Sequence, residues 1–129
     1  MARDWVWIDA ETARAIHAEQ IAEHGGPAGV RDPAGLDGAM ARARNLAAYE
    51  EPDAAALAAA YAYGIARDHP FVDGNKRTAA VVSETFLMLN GWALDASDAE
   101  LVVAFQALAA GELSEAELGD WFREMVRDA

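Results

Sequence analysis

Ten consecutive residues, His69-Pro70-Phe71-Val72-Asp73-Gly74-Asn75-Lys76-Arg77-Thr78, bring together a base, a hard oxygen donor and two cations. Histidine is the side chain able to exchange a proton near neutrality, so His69 can take one from an attacking hydroxyl. Asp73 offers the kind of oxygen that Mg²⁺ takes beside phosphate oxygens. Gly74 lets backbone approach a ligand closely, and a helix opening at Asn75 offers unpaired N–H groups and a positive dipole end to an anion. Lys76 and Arg77 then stand in the first turn of that helix, where the dipole disfavours cations. An anion bound among them resolves the conflict. Singly, each feature has an ordinary reading: a solvated loop histidine, an Asp-Gly turn, a surface Lys-Arg pair. In this order, within ten residues, they build a base, a metal ligand and an anion nest. Arg67, two residues upstream, is a further cation for the same ligand, or one half of an ion pair with Asp68 or another acid.

The elements that position this stretch are legible from their ends. A first helix follows Asp9 as N-cap and runs to about His24, where Gly25 and Gly26 stop it. A second opens at Asp32-Pro33. A third opens at Asp53 and ends near Asp68, because His69 precedes a proline and is steered out of the α region. A fourth runs from about Asn75 to Asn90-Gly91. Its stretch AAVVSETFLML is apolar on most sides, which predicts a place at the centre of the domain. A fifth begins at Ser97 or Asp98 and ends at Gly111. A sixth begins at Ser114, with Glu117 completing a capping box. Val6-Trp7-Ile8 and Trp92-Ala93-Leu94 are the only strand-like pieces, able to pair with each other or to plug the core as loops. Phe71 is expected to turn inward and pin the motif loop. The expected fold is therefore all-α, a compact bundle of about six helices with at most one small β pairing, forming a single domain over residues 1–129.

Composition narrows the function classes. The chain has 129 residues, 53% apolar and 25% charged, with a mean hydropathy of −0.04, which describes a soluble globular domain. No apolar run approaches the roughly 20 residues that span a bilayer. The amino-terminal stretch MARDWVWIDAE lacks the pattern of a signal peptide. With no cysteine, disulfides and Cys-ligated metals are excluded, and a cytoplasmic setting is expected. Acids outnumber bases 22 to 10, for a formal charge of −12, so direct nucleic-acid binding is not expected. The local cluster of Arg67, Lys76 and Arg77 in so acidic a chain points instead to a small anionic ligand. His17 and His24 read as surface residues, the four tryptophans as core or partner-facing anchors, and the acidic final helix as a solvated face or a dock for a basic segment.

The motif resembles the signature of the Fic superfamily, His-Pro-Phe-x-Asp/Glu-Gly-Asn-Gly/Lys-Arg, with all nine positions satisfied over 69–77. The resemblance extends along the chain. The run from Gly25-Gly26 through Gly29-Val30-Arg31-Asp32-Pro33 to Leu36, and Arg67 before the motif, are similar to the Doc (death-on-curing) branch. Most Fic enzymes carry glycine where this chain has Lys76, usually carry a second arginine where it has Ala80, and transfer AMP. The Doc branch shares the lysine and lacks that arginine. Membership of that branch implies a protein kinase toxin that moves the γ-phosphate of ATP, with Mg²⁺, to a Ser or Thr hydroxyl of a translation factor of the elongation factor Tu class. It also implies a small Phd-like antitoxin that blocks the active site. By the same resemblance His69 is the general base, Asp73 the Mg²⁺ ligand, and Gly74, Asn75, Lys76, Arg77 and Arg67 the phosphate-binding residues. AMP transfer, or an inactive Fic-fold binding module, are the alternatives. The Ser/Thr-x-x-x-Glu segment by which many Fic enzymes inhibit themselves is absent after Thr12, Thr78, Ser83, Thr85, Ser97 and Ser114. Inhibition is therefore expected from a partner.

Overall fold

A computed structural model describes residues 4–129; positions 1–3, part of the amino-terminal stretch read for a signal peptide, lie outside the described residues. Six helices account for most of the chain: α1 (Ala10–His24), α2 (Pro33–Tyr49), α3 (Ala54–Asp68), α4 (Asn75–Leu89), α5 (Asp98–Ala109) and α6 (Glu115–Met125). Five of them begin where a short polar side chain accepts an N–H of the first turn: Asp9 from Thr12, Asp32 from Gly35, Asp53 from Ala56, Ser97 from Glu100 and Ser114 from Glu117. Both serines form full capping boxes, of which only the Ser114–Glu117 one was expected. The exception is α4, whose N-cap is Gly74 and which has no side-chain cap.

The central helix is α3, which corrects the expectation that α4 would be. Eleven of its fifteen residues are buried, and α2, α4, α5 and α6 all pack against it. Seven of those eleven are alanine, which lets the neighbouring helices close in. A Cβ on Gly64 would stand 3.1 Å from the Ala39 backbone of α2. By contrast α4 buries one face (Thr78, Ala79, Val82, Ser83, Phe86, Leu87) and leaves Met88 and Leu89 exposed. Apolar content alone did not reveal that its bulky side chains divide between core and solvent.

A small antiparallel pair, β1 (Trp92–Leu94) with β2 (Val126–Asp128), closes the structure, with Trp92 opposite Asp128 and Leu94 opposite Val126. The expected alternative partner, Val6-Trp7-Ile8, is occupied otherwise. Val6 exchanges backbone hydrogen bonds with the Asn90 side-chain amide at 2.9 and 3.0 Å. Ile8 does so with the Tyr61 hydroxyl, which accepts from its N–H at 3.0 Å and donates to its carbonyl at 3.2 Å. With the backbone groups of Val6 and Ile8 satisfied by side chains, this segment lies over the core as a plug. Trp5 and Trp7 lie 6.0 Å from the Phe86 ring, and Trp121 makes an edge contact with Phe122.

Candidate active site

The motif loop joins the end of α3 to the start of α4, two helices packed directly against each other. His69 is the C-cap of α3, in left-handed backbone geometry with φ 48° and ψ 55°, and it is the non-glycine residue with positive φ among the described residues. That region costs a non-glycine residue about 1–3 kcal/mol and persists only where the surroundings over-determine it. Here they do. The His69 N–H donates to the Ile65 carbonyl at 3.2 Å, and Pro70 and Phe71 are buried behind it. The connector between α1 and α2 holds the next residues: Arg31 and Asp32 N–H groups donate to the Pro70 carbonyl at 2.8 and 3.0 Å, and the Val72 N–H donates to the Gly29 carbonyl at 3.1 Å. The imidazole of His69 is exposed and has no hydrogen-bond partner among the described residues.

Phe71 turns inward as expected, 1% exposed, with its ring stacked on His17 at 4.0 Å and 6° between planes. His17 is a correction. It was expected at the surface, yet it is 3% exposed, and its Nε2 donates to the Asp73 carbonyl at 2.7 Å. His24 is exposed beside Glu23. Asn75 braces the loop from the other end: its Oδ1 accepts from the Phe71 N–H and its Nδ2 donates to the Phe71 carbonyl, both at 3.0 Å. Its side chain is thereby committed to the loop, and what it offers a ligand is its backbone N–H.

The start of α4 leaves backbone N–H groups open beside two cations. Gly74 has φ 75°, and the first helical bond is Thr78 N–H to the Gly74 carbonyl at 2.9 Å. The N–H groups of Asn75, Lys76 and Arg77 have no acceptor among the described residues. The Lys76 and Arg77 side chains are exposed and enter no ion pair there, and the Arg77 guanidinium lies 3.6 Å from where a Gly74 Cβ would sit. Asp73 is exposed and forms no ion pair among the described residues; its carboxylate rests against Gly26, where an added Cβ would come within 2.4 Å of Oδ2. No group of three or more metal-binding side chains occurs among the described residues. One unpaired carboxylate beside an anion nest suits Mg²⁺, which commonly takes one or two protein carboxylates and the remaining ligands from substrate phosphates and water.

Arg67 makes no ion pair among the described residues. It donates to the Tyr63 hydroxyl at 2.6 Å and stays exposed. With His69 it borders a groove of about 1200 Å³ running between α2, α3 and the α5–α6 junction, lined by Leu46, Tyr63 and Leu108 among others. The acidic residues of α6 are partly spent within the molecule: Glu115 pairs with Arg42 and Asp120 with Arg123, while Glu117 serves its cap. Sequence reasoning thus found the residues of the loop and missed those that brace it from α1 and the α1–α2 connector.

The profile of the Fic/DOC family matches residues 7–87, more than half of the chain and including the whole loop. The chain is 34% identical over 123 residues to the protein named Protein kinase doc of Escherichia phage P1, covering 95% of this chain and 97% of that protein. It is 45% identical over 71 residues to the protein named Toxin Doc of Mycolicibacterium smegmatis, covering 52% of this chain and 53% of that one.

Proposed function

The chain belongs to the Fic/DOC family, and we propose on that footing that it is a Doc-type toxin, a protein kinase that transfers the γ-phosphate of ATP to a Ser or Thr hydroxyl. The observation that carries the reading is the pairing, across one braced loop, of an exposed base at the end of α3 with an uncapped, cation-flanked helix start at α4. His69 takes the hydroxyl proton as the oxygen attacks the γ-phosphorus. The new O–P bond forms as the bond from the γ-phosphorus to the β–γ bridging oxygen breaks, and ADP leaves. Catalysis of this kind is mostly positioning and electrostatic stabilisation. The N–H groups of Asn75, Lys76 and Arg77 and the two cationic side chains hold the phosphates, with Gly74 keeping the approach clear. Asp73 would hold Mg²⁺, which supplies charge neutralisation on phosphate oxygens. Arg67 adds positive charge beside the groove. The exposure of His69 along that groove supports access by a protein hydroxyl in place of a small acceptor.

The target class is a translation factor, with elongation factor Tu the first to test. A small Phd-like antitoxin would block the site, in keeping with the absence of the self-inhibitory segment. The cytoplasm is the setting such a pair requires, and no helix among the described residues is long and apolar enough to cross a membrane.

The nature of the transferred group is open to direct measurement. Lys76 stands where AMP-transferring Fic enzymes are expected to carry glycine, and Ala80 supplies no second arginine. With Mg²⁺ and a bacterial lysate, label from γ-labelled ATP should enter protein and label from α-labelled ATP should not. The modified target should gain the mass of one phosphate. Lys76→Gly should weaken that transfer. Addition of an AMP mass by the wild-type protein would overturn the kinase reading and leave the family assignment standing.

A further inference from the structure

The base proposed above has nothing to orient its ring. In most nucleophile–base pairs a third group holds the imidazole, whereas the His69 ring has no hydrogen-bond partner among the described residues. What the fold holds is its backbone, which sets the Cα–Cβ direction from which the ring projects, and that backbone is gripped by a residue outside the motif. The Arg31 guanidinium donates from Nε to the His69 carbonyl at 3.0 Å, from Nη2 to the same oxygen, and from Nη2 to the Asp68 carbonyl at 3.0 Å. These are the orphan carbonyls at the end of α3, where a cation also complements the helix dipole. A helix end of this shape ordinarily uses glycine for the left-handed residue. Here a functional side chain must occupy that position, so the geometry glycine would adopt freely has to be imposed.

We infer that Arg31 is the positioning residue for His69, fixing the left-handed backbone from which the imidazole faces the acceptor hydroxyl; this rests on the reading of His69 as base. Three features separate the role from its neighbours. Arg31 makes no ion pair with a carboxylate among the described residues, so its guanidinium is not spent on surface charge. Its donors face carbonyl oxygens, so it is not arranged as a phosphate ligand. The main-chain bonds of residues 29–32 to Pro70 and Val72 are independent of its side chain, so the connector stays docked when the guanidinium is removed.

The test compares wild type, His69→Ala, Arg31→Ala and Arg31→Lys in steady-state transfer of γ-labelled phosphate, with circular dichroism and thermal unfolding on each. Arg31→Ala should remain folded and lose roughly tenfold to a hundredfold in kcat, the range a misplacement of about 1 Å produces, with the KM for ATP within about twofold of wild type. Arg31→Lys, which keeps charge but not the fork, should recover part of that loss. Wild-type kcat in folded Arg31→Ala, or a loss that appears only as a raised KM for ATP, would overturn the inference. Loss of fold in both variants would assign Arg31 to stability alone and overturn it equally. An active wild type with inactive His69→Ala and fully active Arg31→Ala defeats the Arg31 role only. A wild type whose transfer does not depend on His69 defeats the reading of the base, and the Arg31 role with it.

Discussion

At His69 the chain places an exposed imidazole where a helix end would ordinarily carry glycine, and at Gly26 it does the reverse, keeping a side chain out so that another can be seated. Gly26 has φ 110°, and a Cβ there would fall 2.4 Å from Asp73 Oδ2. Because the obstructing atom is the end of a side chain, the carboxylate would swing away while the backbone of an exposed connector absorbs the strain, about 1–3 kcal/mol. Gly26→Ala is therefore expected to stay folded, to lower the rate of phosphate transfer, and to raise the Mg²⁺ concentration needed for half-maximal rate. Titration of Mg²⁺ against activity checks this, and an unchanged Mg²⁺ dependence in the folded variant would detach Asp73 from the metal. Among single residues, His69, Asp73, Gly74, Lys76 and Arg77 were legible because they lie within one short run. Arg31 and His17 were not, because they meet the loop from 38 and 56 residues away, and no local pattern encodes that approach. Asn75 stood out in the motif as a candidate, but that its side chain braces Phe71 became clear only in the fold.

At the scale of elements, five helix starts were readable because capping is a local contract between a short polar side chain and the next turn. The β1–β2 pair and the burial of α3 were not, since partner choice depends on which backbone groups other side chains have already satisfied. Asp53 shows a cap doing a second, non-local job. Its carboxylate accepts the Ala56 N–H at 2.9 Å and also pairs with Arg123 of α6 at 2.6 and 3.0 Å, tying the start of the central helix to the last one. The hydrogen bond from Arg123 foremost, with the Ala56 N–H assisting, holds the Asp53 carboxyl below its ordinary titration range against the opposing effect of burial. A lowered folded value means that this stability is present above the ordinary Asp range, around pH 4, and is lost as pH falls through the lower folded value. Asparagine keeps the cap acceptor and removes the charge. Asp53→Asn should therefore cost about 0.2–1 kcal/mol at neutral pH, as expected of a largely exposed pair, while Asp53→Ala should cost about 1 kcal/mol more through the lost cap. Thermal unfolding followed down to about pH 2 should show the wild type and Asp53→Asn converging. A constant gap across that range would assign the difference to something other than the ion pair.

Over the whole molecule, a formal charge of −12 makes each cation scarce, and the fold spends most of them internally. Arg42, Arg123 and Arg127 pair with Glu115, Asp53 with Asp120, and Asp95. Arg44 lies over Trp7, Arg67 bonds Tyr63, and Arg31 serves two carbonyls. Lys76 and Arg77, like Arg14 on α1, have no ion-pair partner among the described residues, and Lys76 and Arg77 stand at the helix start that lacks a side-chain cap. Charge that contributes little to stability there is available to a phosphate ligand. The same molecule leaves His69 open and carries no Ser/Thr-x-x-x-Glu segment with which to cover itself. On the function proposed above, restraint comes from a second chain. Expression in a bacterial host should accordingly arrest growth. His69→Ala should relieve the arrest, because loss of a general base costs about 10²–10⁴-fold in rate while the exposed side chain contributes little to the fold. Co-expression with the small reading frame beside the gene should restore growth with His69 intact, and the two products should purify together. Growth arrested equally by His69→Ala would place the toxicity outside the proposed chemistry, whereas arrest that no neighbouring reading frame relieves would remove the antitoxin while leaving the enzyme.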